Sequence, residues 1–167
     1  MTIAEVLLFD YDHEMRSTRT LLERVPANEA SYTCHPKSMP LGKLAMHVAT
    51  LPGFALGILT TPEMDLATFQ FPDMTYTTQE HMLETFDQLA AKARQTLVEA
   101  DDASLMTIWT IRFGERVIAR APRAALYRTM FLNHLIHHRA QLSVYLRLND
   151  IPVPGLYGPS ADEPFQP

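Results

Sequence analysis

The chain has 167 residues, a length typical of one domain, and we expect a single domain over residues 1–167. Its formal charge is -5 at pH 7 and its Lys and Arg residues form no basic stripe, so we expect no nucleic-acid partner. Cys34 is the only cysteine, which excludes an internal disulfide and a cysteine-based metal site and favours a reducing cytoplasm.

The first predicted element is a helix over about residues 2–25. Apolar residues recur there at helical spacing, and Pro26 ends the pattern. The N-terminus has no basic region followed by an apolar run, so we expect no signal peptide. Residues 26–40 contain three prolines, which predicts a long irregular loop.

A second helix is predicted over about residues 40–60, with His47 inside its apolar face. Pro52 lacks the amide hydrogen that would bond to the Val48 carbonyl, so we expect a kink one turn after His47. The longest mainly apolar stretch, residues 46–59, has only 14 residues and contains a histidine and a proline. It is too short for a bilayer, and we expect no membrane span.

A third helix is predicted after Thr77 and Glu80, which have the spacing of a capping box, and it ends before Asp101. Residues 105–120 then alternate with a period of two around Gly114, which predicts a small hairpin.

The fourth predicted helix is the longest, from Pro122 to about Asn149, and the proline-rich tail of residues 151–167 is expected to lie extended on the surface. Together these elements predict an all-α fold, a four-helix bundle with a small hairpin or irregular insertion between helices three and four.

Two histidines of the fourth helix stand at a spacing that suits a metal. His134 and His138 differ by only about 40° around the helix axis, so their rings project from one face. Leaving buried imidazole nitrogens unpaired costs about 1–3 kcal/mol each, and one cation satisfies both. Imidazole suits zinc, nickel or ferrous iron, and His47 on the second helix is the natural third ligand.

Spacing alone leaves other interpretations open. A single histidine on an apolar face is more often a hydrogen-bonded core residue than a ligand. His137 could replace His138 as the partner of His134, although it points about 100° away. Leu135 stands where a zinc protease of the HExxH type needs glutamate. The remaining histidines have no partner at ligand spacing and are expected to be structural or exposed: His13, His35 and His81.

The chain resembles the DinB/YfiT-like family of bacterial metal-binding four-helix bundles over nearly its whole length. Three stretches carry the resemblance: SMPLGKLAMHVATLPGFAL, NHLIHHRAQLSVYLRLNDIPVP and LYGPSADE. The resemblance implies that His47, His134 and His138 are the metal ligands. Ala140 occupies a position where the family usually has glycine, a change that a helix tolerates well.

The resemblance also implies a metal at one end of the bundle, a dimer in many members, and reactions that differ between members. Some relatives are S-transferases that use bacillithiol or mycothiol, and others are thiol-dependent isomerases. Our hypothesis is a metal-dependent transferase that joins a low-molecular-weight thiol to an electrophile. The alternatives are a non-catalytic metal-binding stress or sensing protein, a metal-dependent hydrolase, and a bundle whose histidines never bind metal.

The sequence also suggests which residues surround the metal and how the chain assembles. Zinc or nickel is the expected ion, with iron or manganese as further candidates. The pocket wall is predicted to include Trp109, Phe113, Gln141 and Tyr145. Apolar residues on the far side of the fourth helix are compatible with a homodimer: Leu132, Leu135 and Ile136.

Overall fold

The computed structural model describes residues 1–165, and within them the chain is mostly helical with a small three-stranded sheet. Three long helices come first and are connected by loops: α1 (Ile3–Leu22), α2 (Leu41–Thr60) and α3 (Gln79–Glu99). A short 3-10 turn, Ala27–Glu29, interrupts the first of these loops. The later helices are α4 (Asp102–Met106), α5 (Arg123–Leu126) and α6 (Asn133–Leu148), and the π-helical segment Tyr127–Leu132 joins the last two.

Side-chain caps fix where the first and third helices begin. Thr2 accepts the Glu5 amide hydrogen at 3.1 Å, and Glu5 accepts the Thr2 amide hydrogen at 2.7 Å, so α1 begins with a full capping box. At α3 the cap is Thr78, which accepts from the His81 amide at 3.1 Å. The capping box predicted at Thr77 was therefore wrong by one residue.

Helix α2 supplies much of the core. By length and composition it could cross a membrane, but 72% of its most apolar stretch is buried inside the protein. Packing within the fold thus accounts for its apolar residues. The helix is longer than the apolar stretch that we singled out, and it continues through Pro52.

The sheet consists of the predicted hairpin and one strand that we did not predict. Strands β2 (Ile108–Phe113) and β3 (Arg116–Pro122) are antiparallel, and Gly114 in the turn has a φ of 59°, which favours glycine. Strand β1 (Glu63–Asp65) runs parallel to β2. We predicted an all-α four-helix bundle with a small hairpin, and what is confirmed is a mostly helical fold. The small sheet contains a third strand in addition to the hairpin.

Strand β1 is held at both of its faces. A side-chain carbon on Gly57 of α2 would lie 2.6 Å from the Met64 methyl group, so the absence of that carbon lets Met64 approach the helix. The Asp65 carboxylate accepts the amide hydrogens of Gly114 at 2.9 Å and of Ala67 at 3.0 Å. The hairpin and the loop after β1 are therefore tied to the same carboxylate.

Two other expectations concern the C-terminal part. Residues 151–165 form neither helix nor strand, as predicted for the tail, whereas residues 166–167 of the predicted tail lie outside the described residues. Leu132 and Leu135 are only 3% and 0% exposed within the single chain. The apolar side of the fourth helix is thus largely covered without a second copy, and the homodimer stays a prediction.

Candidate metal centre

The structure brings together the three histidines that the sequence selected. His47 lies in the middle of α2, and His134 and His138 lie on successive turns of α6. One ring nitrogen from each residue lies within 4.8 Å of those of the other two, and the Nε2 atoms of His134 and His138 are 2.8 Å apart. All three side chains are half-buried. The cluster could therefore hold a metal ion.

Gln141 determines which way the His138 ring presents its nitrogens. The amide oxygen of Gln141 lies 2.7 Å from His138 Nδ1. An amide oxygen can only accept, so with the amide oriented in this way Nδ1 carries the proton. In the neutral ring, Nε2 then has a free lone pair that points at the other histidines.

His134 faces His138 on the next turn of α6. The backbone of Met130, in the π-helical segment before α6, opposes the fall in the His134 pKa. The Nε2 atoms of the two histidines are at hydrogen-bonding distance, so one of them donates a hydrogen to the other in the metal-free protein. A divalent cation that takes the place of this hydrogen would be bound by both nitrogens.

The electrostatic environment keeps the cluster uncharged. Burial, together with a smaller effect of the neighbouring His138 and His134, lowers the pKa of His47 to about 4. Burial is also the largest cause of the lowered pKa values of His134 and His138. Neutral imidazoles are the form that binds metals, so all three residues are ready to act as ligands at neutral pH.

The donor set and its dimensions fit a divalent transition metal. Zinc–imidazole bonds of about 2.0–2.1 Å place two ligand nitrogens of one ion at most about 4.2 Å apart. The observed nitrogens lie within 4.8 Å of one another, which is close to this size. Three neutral nitrogens with no thiolate or carboxylate are typical of catalytic sites that leave a coordination position open.

A cavity of about 490 Å³ begins at the His47 and His134 side chains. Helix α2, strands β1 and β2 and the loop after β1 form most of its wall. The lining residues, besides the two histidines, are Thr50, Leu51, Gly53, Phe54, Met64, Leu66, Phe69, Gln70, Phe71, Pro72, Met74, Leu89, Ile111 and Met130.

None of the four residues that we proposed for the pocket wall lines this cavity. Trp109 is fully buried, with its ring centroid 6.5 Å from that of Phe54, which does line the cavity. Phe113 is 60% exposed near the hairpin turn. Gln141 contacts His138 instead, and Tyr145 donates its hydroxyl hydrogen to the Met39 carbonyl at 3.0 Å. Helical projection and strand alternation give directions but no distances, and the loop after β1 gave no periodic signal.

The other histidines lie outside the cluster. His137 is exposed, although its ring centroid is 4.8 Å from that of His138. His13, His35 and His81 are exposed as expected, and His13 stacks on Tyr157 with ring centroids 5.7 Å apart. Among the described residues, the three-histidine group is thus formed only by His47, His134 and His138.

A second polar cluster, which we did not predict from the sequence, lies directly next to the first. Arg139 is 1% exposed, and its guanidinium lies 2.6 Å from the Glu14 carboxylate, 3.0 Å from the Glu14 carbonyl and 3.1 Å from the Thr18 hydroxyl. Tyr157 of the tail accepts from Arg139 at 2.6 Å and donates to Glu14 at 2.8 Å. Helical spacing could have revealed Arg139, because it shares a stripe with the buried residues Leu135 and Leu142.

Comparisons with known proteins agree with this fold. The model of the DinB family matches residues 2–166. The Bacillus subtilis protein YrdA is 30% identical over 161 residues, which cover 93% of this chain and 89% of YrdA. A crystal structure of a DinB-like protein from Bacillus cereus superimposes with a TM-score of 0.70 at 25% identity, over 92% of this chain and 97% of the other. The DinB-like protein YjoA of Bacillus subtilis has a TM-score of 0.66 at 20% identity, over 87% and 94% of the two chains.

Proposed function

The chain belongs to the DinB family, and from this premise we propose that His47, His134 and His138 hold one divalent metal ion in a metal-dependent transferase. Zinc and nickel are the ions that three neutral imidazoles suit best, followed by iron, while manganese prefers oxygen ligands. The reaction that we propose joins a low-molecular-weight thiol to an electrophile.

One observation carries the proposal: ring nitrogens of three histidines converge next to an open cavity. His138 is held on the far side of its ring by Gln141, whose amide oxygen lies 2.7 Å from Nδ1. Such an outer contact fixes the tautomer and the direction of a ligating histidine. A structural metal site usually has four protein ligands, whereas this group has three and faces a space of about 490 Å³.

The histidines and the cavity wall contribute to this reaction in different ways. A bound divalent ion supplies Lewis acidity, which lowers the pKa of a thiol or of water. The three histidines fix the place where the thiol sulfur is held, and the apolar cavity wall keeps water away from the electrophile. In the transfer a sulfur–carbon bond forms, the bond from carbon to its leaving group breaks, and the thiol proton passes to solvent.

A non-catalytic metal-binding protein is the competing function, and hydrolysis would use the same ligands with water as the nucleophile. The open cavity beside the cluster favours a reaction over a purely structural ion, because a structural site has no need of an adjoining space. A small-molecule substrate, a homodimer and a cytoplasmic location belong to the proposal as predictions.

The transferase is tested by a conjugation assay on tag-free protein loaded with zinc or nickel. Cysteine and bacillithiol serve as thiols and chlorodinitrobenzene as the electrophile, and the rate is followed by absorbance. We expect metal-loaded protein to accelerate conjugation above the chelator-treated protein, and His47→Ala to abolish the acceleration. His137→Ala is the matched control and keeps it. Metal binding without any acceleration contradicts the transferase and supports the non-catalytic protein.

A further inference from the structure

The wall of the cavity beside the histidines contains no formally charged side chain among the described residues. Its members are aliphatic, aromatic or thioether side chains, apart from His47, His134, Thr50 and Gln70. Thr50 donates its hydroxyl hydrogen to the His47 carbonyl at 3.1 Å, which occupies its donor. The polar contacts open to a ligand are therefore those of the two histidines, the Thr50 hydroxyl oxygen one turn along α2 from His47, and the exposed Gln70 amide in the loop after β1.

The size and the position of the cavity are those of a small-molecule site. A volume of about 490 Å³ lies within the usual range for ligand pockets, about 300–1,000 Å³. An acidic or basic group placed among the apolar residues would lose its hydration and find no countercharge. The wall thus selects against ligands that carry a charge away from the histidines.

One side of the cavity is formed by the loop after β1. Leu66, Phe69, Phe71, Pro72 and Met74 of this loop all line it. The rings of Phe69 and Phe71 meet edge to face with centroids 5.1 Å apart, yet the two residues are 37% and 62% exposed. Large aromatic side chains that are this exposed gain burial when an apolar molecule lies beneath them.

We propose that the molecule bound beside the three histidines is uncharged and mainly apolar, with its body in this cavity and its single polar end at the histidines. This inference rests on the proposed function, which places the polar end of the ligand at the histidines. It restricts the electrophile of the proposed reaction to hydrophobic molecules. Hydrophilic or charged thiols such as bacillithiol do not fit this wall, and a thiol of that kind approaches the histidines from outside the cavity.

Ligand binding tests the inference without any turnover. The zinc-loaded protein is titrated by calorimetry with acetohydroxamate, butyrohydroxamate, hexanohydroxamate and octanohydroxamate, which share one metal-binding head and differ in tail length. We expect the affinity to rise by about fourfold for each buried methylene group. A carboxylate at the far end of the longest tail is expected to weaken binding by at least about a hundredfold. Equal affinities along the series, or equal binding of the carboxylate, overturn the inference.

A cavity-filling variant tests whether the hydroxamate tail binds in this cavity. A side-chain carbon at Gly53 meets Leu89 at 3.6 Å, an ordinary contact, so Gly53→Leu is expected to fold and to extend into the cavity. It should remove the dependence on tail length while acetohydroxamate still binds. Thr60→Leu is the matched control, because it adds the same side chain at an exposed position of the same helix. If both variants bind octanohydroxamate equally well, the ligand lies elsewhere.

A second titration distinguishes binding in the cavity from binding at the metal. Chelator-treated protein is titrated with n-butanol, n-hexanol and n-octanol, which need no metal ion in order to bind. Affinity that rises with alcohol length in a protein that fails to bind zinc overturns the proposed function and supports the apolar cavity. Zinc binding without a rise along either series overturns the present inference alone.

Discussion

Two polar clusters occupy neighbouring positions of the same helix, and they satisfy their polar atoms in opposite ways. Arg139 is surrounded by Glu14, Thr18 and Tyr157, which supply an opposite charge and hydrogen-bond partners. His138, one residue earlier, directs its Nε2 atom at the Nε2 atom of His134 at 2.8 Å. The arginine cluster pairs opposite charges within the chain, whereas the histidine cluster brings together three neutral groups that could bind a metal ion.

This difference separates a structural polar cluster from a candidate functional one. A buried ion pair with all its hydrogen bonds ties three parts of the chain together, here α1, α6 and the tail. A cluster of three neutral histidines gains no charge pairing, and such departures from ordinary core packing are expected at functional sites. We therefore expect substitutions in the arginine cluster to affect folding, and those in the histidine cluster to affect metal binding.

The largest effect is expected from Arg139→Met, which leaves the Glu14 carboxylate buried without its countercharge. The free energy of unfolding should fall by about 3–5 kcal/mol, measured by urea denaturation. The double variant with Glu14→Leu should recover much of this loss, because no charge is then stranded. Tyr157→Phe removes only a hydroxyl group and should cost about 1 kcal/mol.

A purely structural role of Arg139 is contradicted if Arg139→Met is as stable as the parent chain, or if its folded fraction loses metal as completely as a ligand variant does.

The next effect concerns the histidines. His47→Ala and His138→Ala are expected to lower the affinity for zinc by at least about a hundredfold, because each removes one of three ligands. Gln141→Ala should cost about tenfold, since it frees the His138 ring without removing it. His137→Ala is the control and keeps the metal. Elemental analysis of tag-free protein measures the metal content, and a competition titration with a chelator measures the affinity for zinc.

Metal that is retained in His47→Ala contradicts the ligand assignment. If His137→Ala loses the metal, the exposed His137 is a ligand.

A third effect is a pH dependence of the metal-free protein. The pKa of His47 is about 4 in the fold and about 6.5 in an unfolded chain, so the unfolded state binds the proton first as the pH falls. The free energy of unfolding should therefore decrease as the pH falls from about 7 to about 4. The slope due to His47 disappears in His47→Gln, while His81→Gln, at an exposed position, keeps it. Identical slopes in both variants contradict the buried, neutral state of His47.

Much of the fold could be predicted because apolar residues at helical spacing record which face of a helix is buried. The positions of His47, His134 and His138 on inward faces came from this pattern, and the resemblance to the family completed the set. Strand β1 was missed because its three residues are too few to show a period. The exact start of α3 depended on which of two adjacent threonines turns its hydroxyl to the backbone, and spacing favoured the wrong one.

By itself the sequence determined the helical character of the chain, the hairpin around Gly114 and the histidine pair on the last long helix, since each is encoded by residues close together in the chain. The tertiary structure alone decided that Gln141 orients the His138 ring, that the loop after β1 closes an apolar cavity, and that the tail reaches back to Glu14. The physical reason is distance along the chain. A contact such as the one between Tyr157 and Glu14 depends on how whole elements pack, and local residue patterns carry no record of it.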